Sequence, residues 1–211
     1  MNAGQTANFM ANPNIANILG RVTGGDASLI NGILKVSGSN ANLYLINPAG
    51  IVFGKDASLN VPGAFTATTA NGIGFGNGNW FNAIGSNNYA TLTANPTSFG
   101  FVGTSGSLVN AGNLSVNPGQ SIALVGGTVV NTGTIAAPGG DITIAAIPGG
   151  KMVRIGQAGT VLSFDLPMSD RVLINSPMTS GRSQTIATPL SLCITHRRID
   201  SQCNAWWLKM A

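Results

Sequence analysis

The sequence predicts an all-β protein built as a parallel β-solenoid. Three observations carry that expectation. Strand-like runs of three to seven residues, rich in Val, Ile, Leu and Thr, are bounded by Gly, Pro or Asn along the chain. The 211 residues include 29 Gly and 23 Asn but no Glu, and only 8% are charged. Gly and Asn are poor helix formers, and the charged residues that face solvent on a helix are scarce. Finally, a segment recurs at intervals of 20 and 21 residues.

The predicted strands follow in order. Ile30–Val36 lies between Gly24-Gly25-Asp26 and Gly38. Asn42–Ile46 runs up to the breaker Asn47-Pro48, and Ile51–Phe53 sits between Gly50 and Gly54. Pro62-Gly63 and Asn71-Gly72 then open a different region, where Phe75, Trp80, Phe81, Tyr89, Phe99 and Phe101 cluster. Such a cluster predicts an extra-helical hairpin or cap packing its own small core; a ligand platform of Trp80, Phe81 and Tyr89, stacking on sugars or bases, is the alternative. Strands resume at Ser107–Val109, Asn113–Val116, Ser121–Val125, Thr128–Val130, Thr134–Ala136 and Asp141–Ile147. Their punctuation is Pro118-Gly119, Gly126-Gly127, Pro138-Gly139-Gly140 and Pro148-Gly149-Gly150.

The recurrence includes both turn and apolar positions. Asn110-x-Gly112 returns as Asn131-x-Gly133, and Pro118–Leu124 returns as Pro138–Ile144. Ser28–Val36 is a looser copy. A period near 20 with two or three strands fits one turn of a solenoid. Inward Val, Ile, Leu and Ala stack from coil to coil, Gly and Asn turn the corners, and Asn side chains form ladders or cap backbone groups. A β-sandwich is the alternative architecture, but it gives no reason for the recurrence.

Charge divides the chain. Residues 1–150 balance Arg21, Lys35 and Lys55 against Asp26, Asp56 and Asp141, so the net +4 belongs to the last 61 residues. Glycine shifts too: 26 of 29 precede residue 151. These shifts predict a β-helical unit over 1–160 and a divergent tail over 161–211. The tail charges are scattered, which argues against a nucleic-acid partner. Cys193, Cys203 and the lone His196 do not have zinc spacing, so neither metal nor cofactor is expected.

Catalytic signatures are thin. His196 is the only histidine, and Asp26, Asp56 and Asp141 are not paired as glycosidic hydrolysis usually requires. Gly72-x-Gly74-x-Gly76 lacks the following helix and the acid of a dinucleotide fingerprint. The expectation is a non-enzyme with no catalytic residues, and a polysaccharide-active β-helix is the alternative. No run approaches the ~18 apolar residues of a spanning helix. Met1–Asn14 lacks the basic start and apolar run of a signal peptide, so either the protein is cytosolic or its start is missing.

Residues 8–160 also carry a resemblance. Asn12-Pro13-Asn14-Ile15 leads into Ile18–Gly25; Ala41–Gly54 follows, then Ala57–Val61 and Phe65–Ala70. Together these segments resemble the N-terminal secretion domain of the filamentous haemagglutinin family, the two-partner secretion exoproteins of Gram-negative bacteria. With Pro118–Gly127 and Pro138–Gly140, the style is most similar to the cyanobacterial branch. The resemblance implies a right-handed parallel β-helix. It also implies recognition by the POTRA modules of an outer-membrane TpsB pore, export in unfolded form, and coiling outside, where the domain nucleates the β-helix of an adhesin.

By the same resemblance, Asn47-Pro48-Ala49-Gly50-Ile51 matches the family's second Asn-Pro secretion motif, with Ala49 where a second Asn is usual. Asn12-Pro13-Asn14-Ile15 resembles the first. The implied product is a monomer at the cell surface or in the medium, with surface glycans or receptors of neighbouring cells as further partners. The family's signal peptide and first strands have no counterpart before Asn8, and the likeness fades from about Gly159.

Overall fold

The structure is a computed structural model that describes residues 1–147, 149–155 and 162–165. The predicted tail, with Cys193, Cys203 and His196, lies outside the described residues. In chain order the strands are β1 (Thr6–Met10), β2 (Asn17–Arg21), β3 (Ser28–Ile30), β4 (Ile33–Ser37), β5 (Asn42–Ile46), β6 (Ile51–Phe53), β7 (Ser58–Asn60) and β8 (Phe65–Thr68). Next come β9 (Gly72–Gly74), β10 (Trp80–Asn82), a 3-10 turn at Tyr89–Thr91, and β11 (Ser98–Phe101). The series closes with β12 (Ser107–Asn110), β13 (Asn113–Ser115), β14 (Ile122–Gly126), β15 (Thr128–Asn131), β16 (Thr134–Ala136), β17 (Ile142–Ala146), β18 (Lys151–Ile155) and β19 (Leu162–Asp165).

Among the described residues three of the four sheets are parallel, and together they form the β-helix. The first runs β1-β4-β7-β13-β16, the second β2-β5-β8-β14-β17 and the third β3-β6-β12-β15. The chain visits third, first and second sheet in turn, so each circuit is one coil. Leu108 pairs with Val129 and Ile122 with Ile142, which makes the predicted recurrence the register itself.

Alternation along each strand builds the interior. In the second sheet Leu43, Phe65, Ile122 and Ile142 form one inward row, and Leu45, Ala67, Leu124 and Ile144 the next. Ile51, Phe53, Leu108 and Leu114 fill the space opposite, each fully buried. Phe53 meets Phe65 edge to face, with ring centroids 6.0 Å apart. At roughly 25 cal/mol per Å² of apolar surface, these rows are the main favourable contribution to closing each coil.

The Asn-x-Gly recurrence falls at the corner between third and first sheets. Asn110 is fully buried: its Oδ1 accepts the Gly112 N–H at 3.0 Å, and its Nδ2 donates to Asn131 Oδ1 one coil on at 2.8 Å. A second ladder opens the second sheet. Asn17 donates to Asn95 Oδ1 at 2.9 Å, Asn42 donates to Asn17 Oδ1 at 2.9 Å, and the Ala64 N–H donates to Asn42 Oδ1 at 2.9 Å.

Two expectations need correction. Ile30–Val36 is not one strand. A corner at Asn31-Gly32 splits it into β3 and β4, with Gly32 buried against backbone carbonyls of the preceding coil. The strands β1 and β2 are additional: despite its polar look, Thr6–Met10 pairs in register with β4.

Between Thr68 and Ser107 the chain leaves the coil and supplies β9, β10 and β11 to an antiparallel side sheet, β10-β9-β11-β18-β19, which β18 and β19 join after the last coil strand β17. Phe81, Ile73, Phe99 and Val153 form its inward row and pack with Ile46, Val125 and Ala145 from the outer face of the second sheet. This is the separately packed extra-helical element that the aromatic cluster predicts. It half-buries Tyr44, and desolvation raises that phenol above its ordinary pKa. Thr69 fixes the exit and the return: its hydroxyl donates to Gly106 C=O at 2.9 Å and accepts the Gly127 N–H at 3.0 Å.

Arg21 holds the far edge of this excursion. Its guanidinium donates to the carbonyls of Asn82 at 3.0 Å and Gly85 at 2.8 Å, and lies 5.9 Å from the Phe81 ring centroid. Two such bonds and a cation–π contact at a half-exposed site amount to about 1–2 kcal/mol. Arg21→Ala is therefore expected to speed proteolytic nicking within residues 82–88 several-fold while the far-ultraviolet β-signal stays constant. Unchanged nicking would show that the side chain is not the clamp.

Candidate functional site

The two Asn-Pro segments share one local geometry. At Asn47 the side-chain Oδ1 accepts the Ala49 N–H at 3.0 Å, and the main-chain carbonyl accepts the Gly50 N–H at 3.1 Å. At Asn12 the side-chain Oδ1 accepts the Asn14 N–H at 3.0 Å, and the carbonyl accepts the Ile15 N–H at 3.1 Å. In both, an Asx turn is nested on a β-turn, and the fixed φ of Pro13 or Pro48 sets the bend.

Their surroundings differ. Asn12, Pro13, Asn14 and Ile15 are exposed, at the corner where β1 turns into β2. Pro13, Asn14 and Ile15 line a shallow depression with Gly38, Ser39 and Asn40 of the next coil. Asn47 stands at another corner, between β5 and β6, and is 0% exposed. Its Nδ2 donates to Asp26 C=O at 3.0 Å and to Ser28 Oγ at 2.9 Å, both in the coil before. Gly106, in the coil after, donates its N–H to Pro48 C=O at 2.8 Å.

Gly50 has φ of +130°, and a Cβ there would stand 3.1 Å from Ser107 O and 3.3 Å from Ala27 Cβ. Ile51 enters the core at 0% exposure. The exposed tip of this corner is Ala49, the position where the predicted motif departs from its usual Asn. The Asn47 corner is thus a pin through neighbouring coils, whereas the Asn12 corner is an exposed turn.

The three aromatics of the alternative platform reading, Trp80, Phe81 and Tyr89, have different surroundings. Phe81 is 4% exposed and faces the core of the side sheet. The Trp80 ring lies over Gly72, Gly74 and Gly100; a Cβ on any of these would come within 3.1–3.2 Å of it. Tyr89 is 63% exposed on the 3-10 turn. Gly72-x-Gly74 forms a strand rather than a phosphate loop. Among the described residues no three His, Cys, Asp or Glu groups stand together.

A parallel solenoid with Asn-Pro turns at two of its corners narrows the choice of family, and comparison with family models decides it. The model of the TPS secretion domain matches residues 1–188. The chain belongs to the TPS secretion domain family. It is the secretion domain of a two-partner-secretion exoprotein, and membership implies a TpsB transporter as partner. The match spans the predicted 1–160 unit and part of the following segment. No curated protein matches the chain.

Sequence reasoning found the Asn-Pro corners and the Asn-x-Gly ladder. It missed Arg21, Thr69 and the Asn17–Asn42 ladder. Asn17 and Asn42 align only once the coil register is known, and a single Thr or Arg carries no pattern.

Proposed function

We propose that this TPS domain is read in unfolded form by the POTRA modules of its outer-membrane pore, then coils up outside and nucleates the β-helix of a non-enzymatic adhesin. The reading on the unfolded chain rests on Asn47. A fully buried side chain, bonded on both faces, offers nothing to a partner once the coil has closed. Asn12, Pro13, Asn14 and Ile15 stay exposed and remain readable in either state.

Nucleation is supported by the last coil. Val129, Ile142 and Ile144 are only half-buried, whereas Leu108, Ile122 and Leu124, one coil earlier, are fully buried. Among the described residues β15, β16 and β17 each pair on one side only. Strand edges that are unpaired among the described residues, around a half-open apolar core, suit a template for another coil. We place the end of the coiled unit near residue 160 and the mature protein at the surface of a Gram-negative, cyanobacterial-type cell.

The test is capture on a purified POTRA fragment. The urea-unfolded chain, rapidly diluted, and a peptide of residues 40–60 are expected to be retained, and the folded domain retained at least about tenfold less, the ratio expected when opening a buried corner costs 1.4 kcal/mol or more. Equal capture of folded and unfolded chains would overturn the proposal.

A further inference from the structure

The chain contains three Asn-Gly pairs: Asn31-Gly32, Asn71-Gly72 and Asn77-Gly78. With glycine next, nothing shields the following backbone nitrogen from the asparagine amide carbon. Two of the pairs are held by the fold. The Asn31 side chain donates to Asp56 Oδ2 at 3.2 Å and accepts the Asp56 N–H at 3.1 Å, and Gly32 is buried. Asn71 Oδ1 accepts the Val102 N–H at 2.6 Å, and Gly72 is buried in strand β9.

Among the described residues, nothing holds the side chain of the third pair in this way. Asn77 and Gly78 are exposed at the tip between β9 and β10, and a Cβ placed on Gly78 would meet nothing within 4 Å. Asn77 is also the one non-glycine residue with positive φ among the described residues, at 51°.

We propose that Asn77 is a site of spontaneous covalent modification, its amide giving way to a carboxylate through a cyclic imide. The Gly78 amide loses its proton to hydroxide, and its nitrogen attacks Asn77 Cγ. A Cγ–N bond forms, the Cγ–Nδ2 bond breaks, and Nδ2 leaves as ammonia. Water then adds to one of the two imide carbonyls. Opening one way leaves an aspartate; opening the other leaves an isoaspartate, with the main chain routed through the side-chain carbon. No oxidant or further reagent is needed.

The two products differ in structural cost. An aspartate keeps the turn, because Asp-Gly suits positive φ as Asn-Gly does. It adds a negative charge to a side sheet with few charges. An isoaspartate lengthens the main chain inside a turn closed by Asn79 N–H to Gly76 C=O at 2.9 Å. That shifts the Trp80–Gly74 pairing and lifts the indole from its glycine floor.

The experiment incubates the folded protein at mildly alkaline pH and follows all three Asn-Gly peptides by mass spectrometry, with a parallel incubation in concentrated urea. In the folded protein Asn77 is expected to convert at least about tenfold faster than Asn31 or Asn71, because those two require local opening first. In urea the three rates should fall within about threefold of one another, since the protecting structure is gone. Asn77→Gln, which closes a larger ring slowly, should abolish conversion at that position and leave the other two unchanged. Conversion of Asn31 or Asn71 as fast as Asn77 in the folded protein would overturn the proposal. So would equal ratios in buffer and in urea.

Discussion

Gly50→Val is expected to cost about 3–5 kcal/mol of stability. A β-branched residue at φ of +130° is strained by roughly 1–3 kcal/mol, and forcing methyl groups between Ser107 and Ala27 adds about 1–3 more. For a domain of this size each kcal/mol moves the midpoint by about 2–4 °C, so the melting temperature should fall by roughly 10 °C. Gly50→Ala keeps the backbone strain and the Cβ contacts but lacks the two further methyl groups of Val, so its loss should be clearly smaller. Equal effects of Ala and Val would locate the whole cost in the backbone angle and the Cβ contacts that both carry. No measurable effect of Val would mean that the coils do not close on this corner. Because the chain is proposed to coil up outside the cell, Gly50→Val should also reduce the amount of folded protein recovered from the medium.

Asn47→Ala should cost about 2–4 kcal/mol. It removes the three bonds of a fully buried side chain, whose partners belong to the exposed residues Asp26 and Ala49 and to half-buried Ser28. A typical intramolecular bond contributes about 1 kcal/mol net, with a spread of about 0.5, so the three together account for the loss. The matched change Asn12→Ala removes only one exposed turn bond, and about 0.5 kcal/mol is the expected loss. Chemical denaturation of the two variants measures the contrast directly. Their export need not follow the same order. If the pore reads Asn-Pro chemistry in the unfolded chain, Asn12→Ala should depress secretion despite its small effect on stability. Secretion that simply tracks stability would assign both motifs to folding alone.

Much of this architecture is legible in the residues. Leu43 and Leu45 alternate as an inward row must, and Asn110-x-Gly112 with Asn131-x-Gly133 marks both the corner and the length of a coil. The Asn47-Pro48 corner is visible as a breaker between apolar runs. Its burial is not, because that depends on which coils lie above and below. The split of Ile30–Val36 is hidden for the same reason: Asn31-Gly32 looks like one polar interruption until the carbonyls beside Gly32 are placed. The side sheet is hardest. Gly-Ile-Gly has poor strand propensity, and β9 forms because Trp80 covers its glycines while Ile73 packs inward. Phe81 shows the limit of composition: clustered aromatics indicate an element with its own packing, but only alternation along β10 tells that Phe81 turns in and Trp80 out.

The stacking register is tested most directly by cysteine cross-linking. With Cys193 and Cys203 replaced by Ser, the pair Val109→Cys and Val130→Cys places two thiols opposite each other on the outer face of the third sheet. Neighbouring strands about 4.8 Å apart allow a disulfide. Coils stacked in the described register predict rapid oxidation of this pair and slow oxidation of the offset pair Val109→Cys and Thr128→Cys. Preferential closure of the offset pair, or closure of neither, would contradict a parallel solenoid with coils of 21 residues at this point.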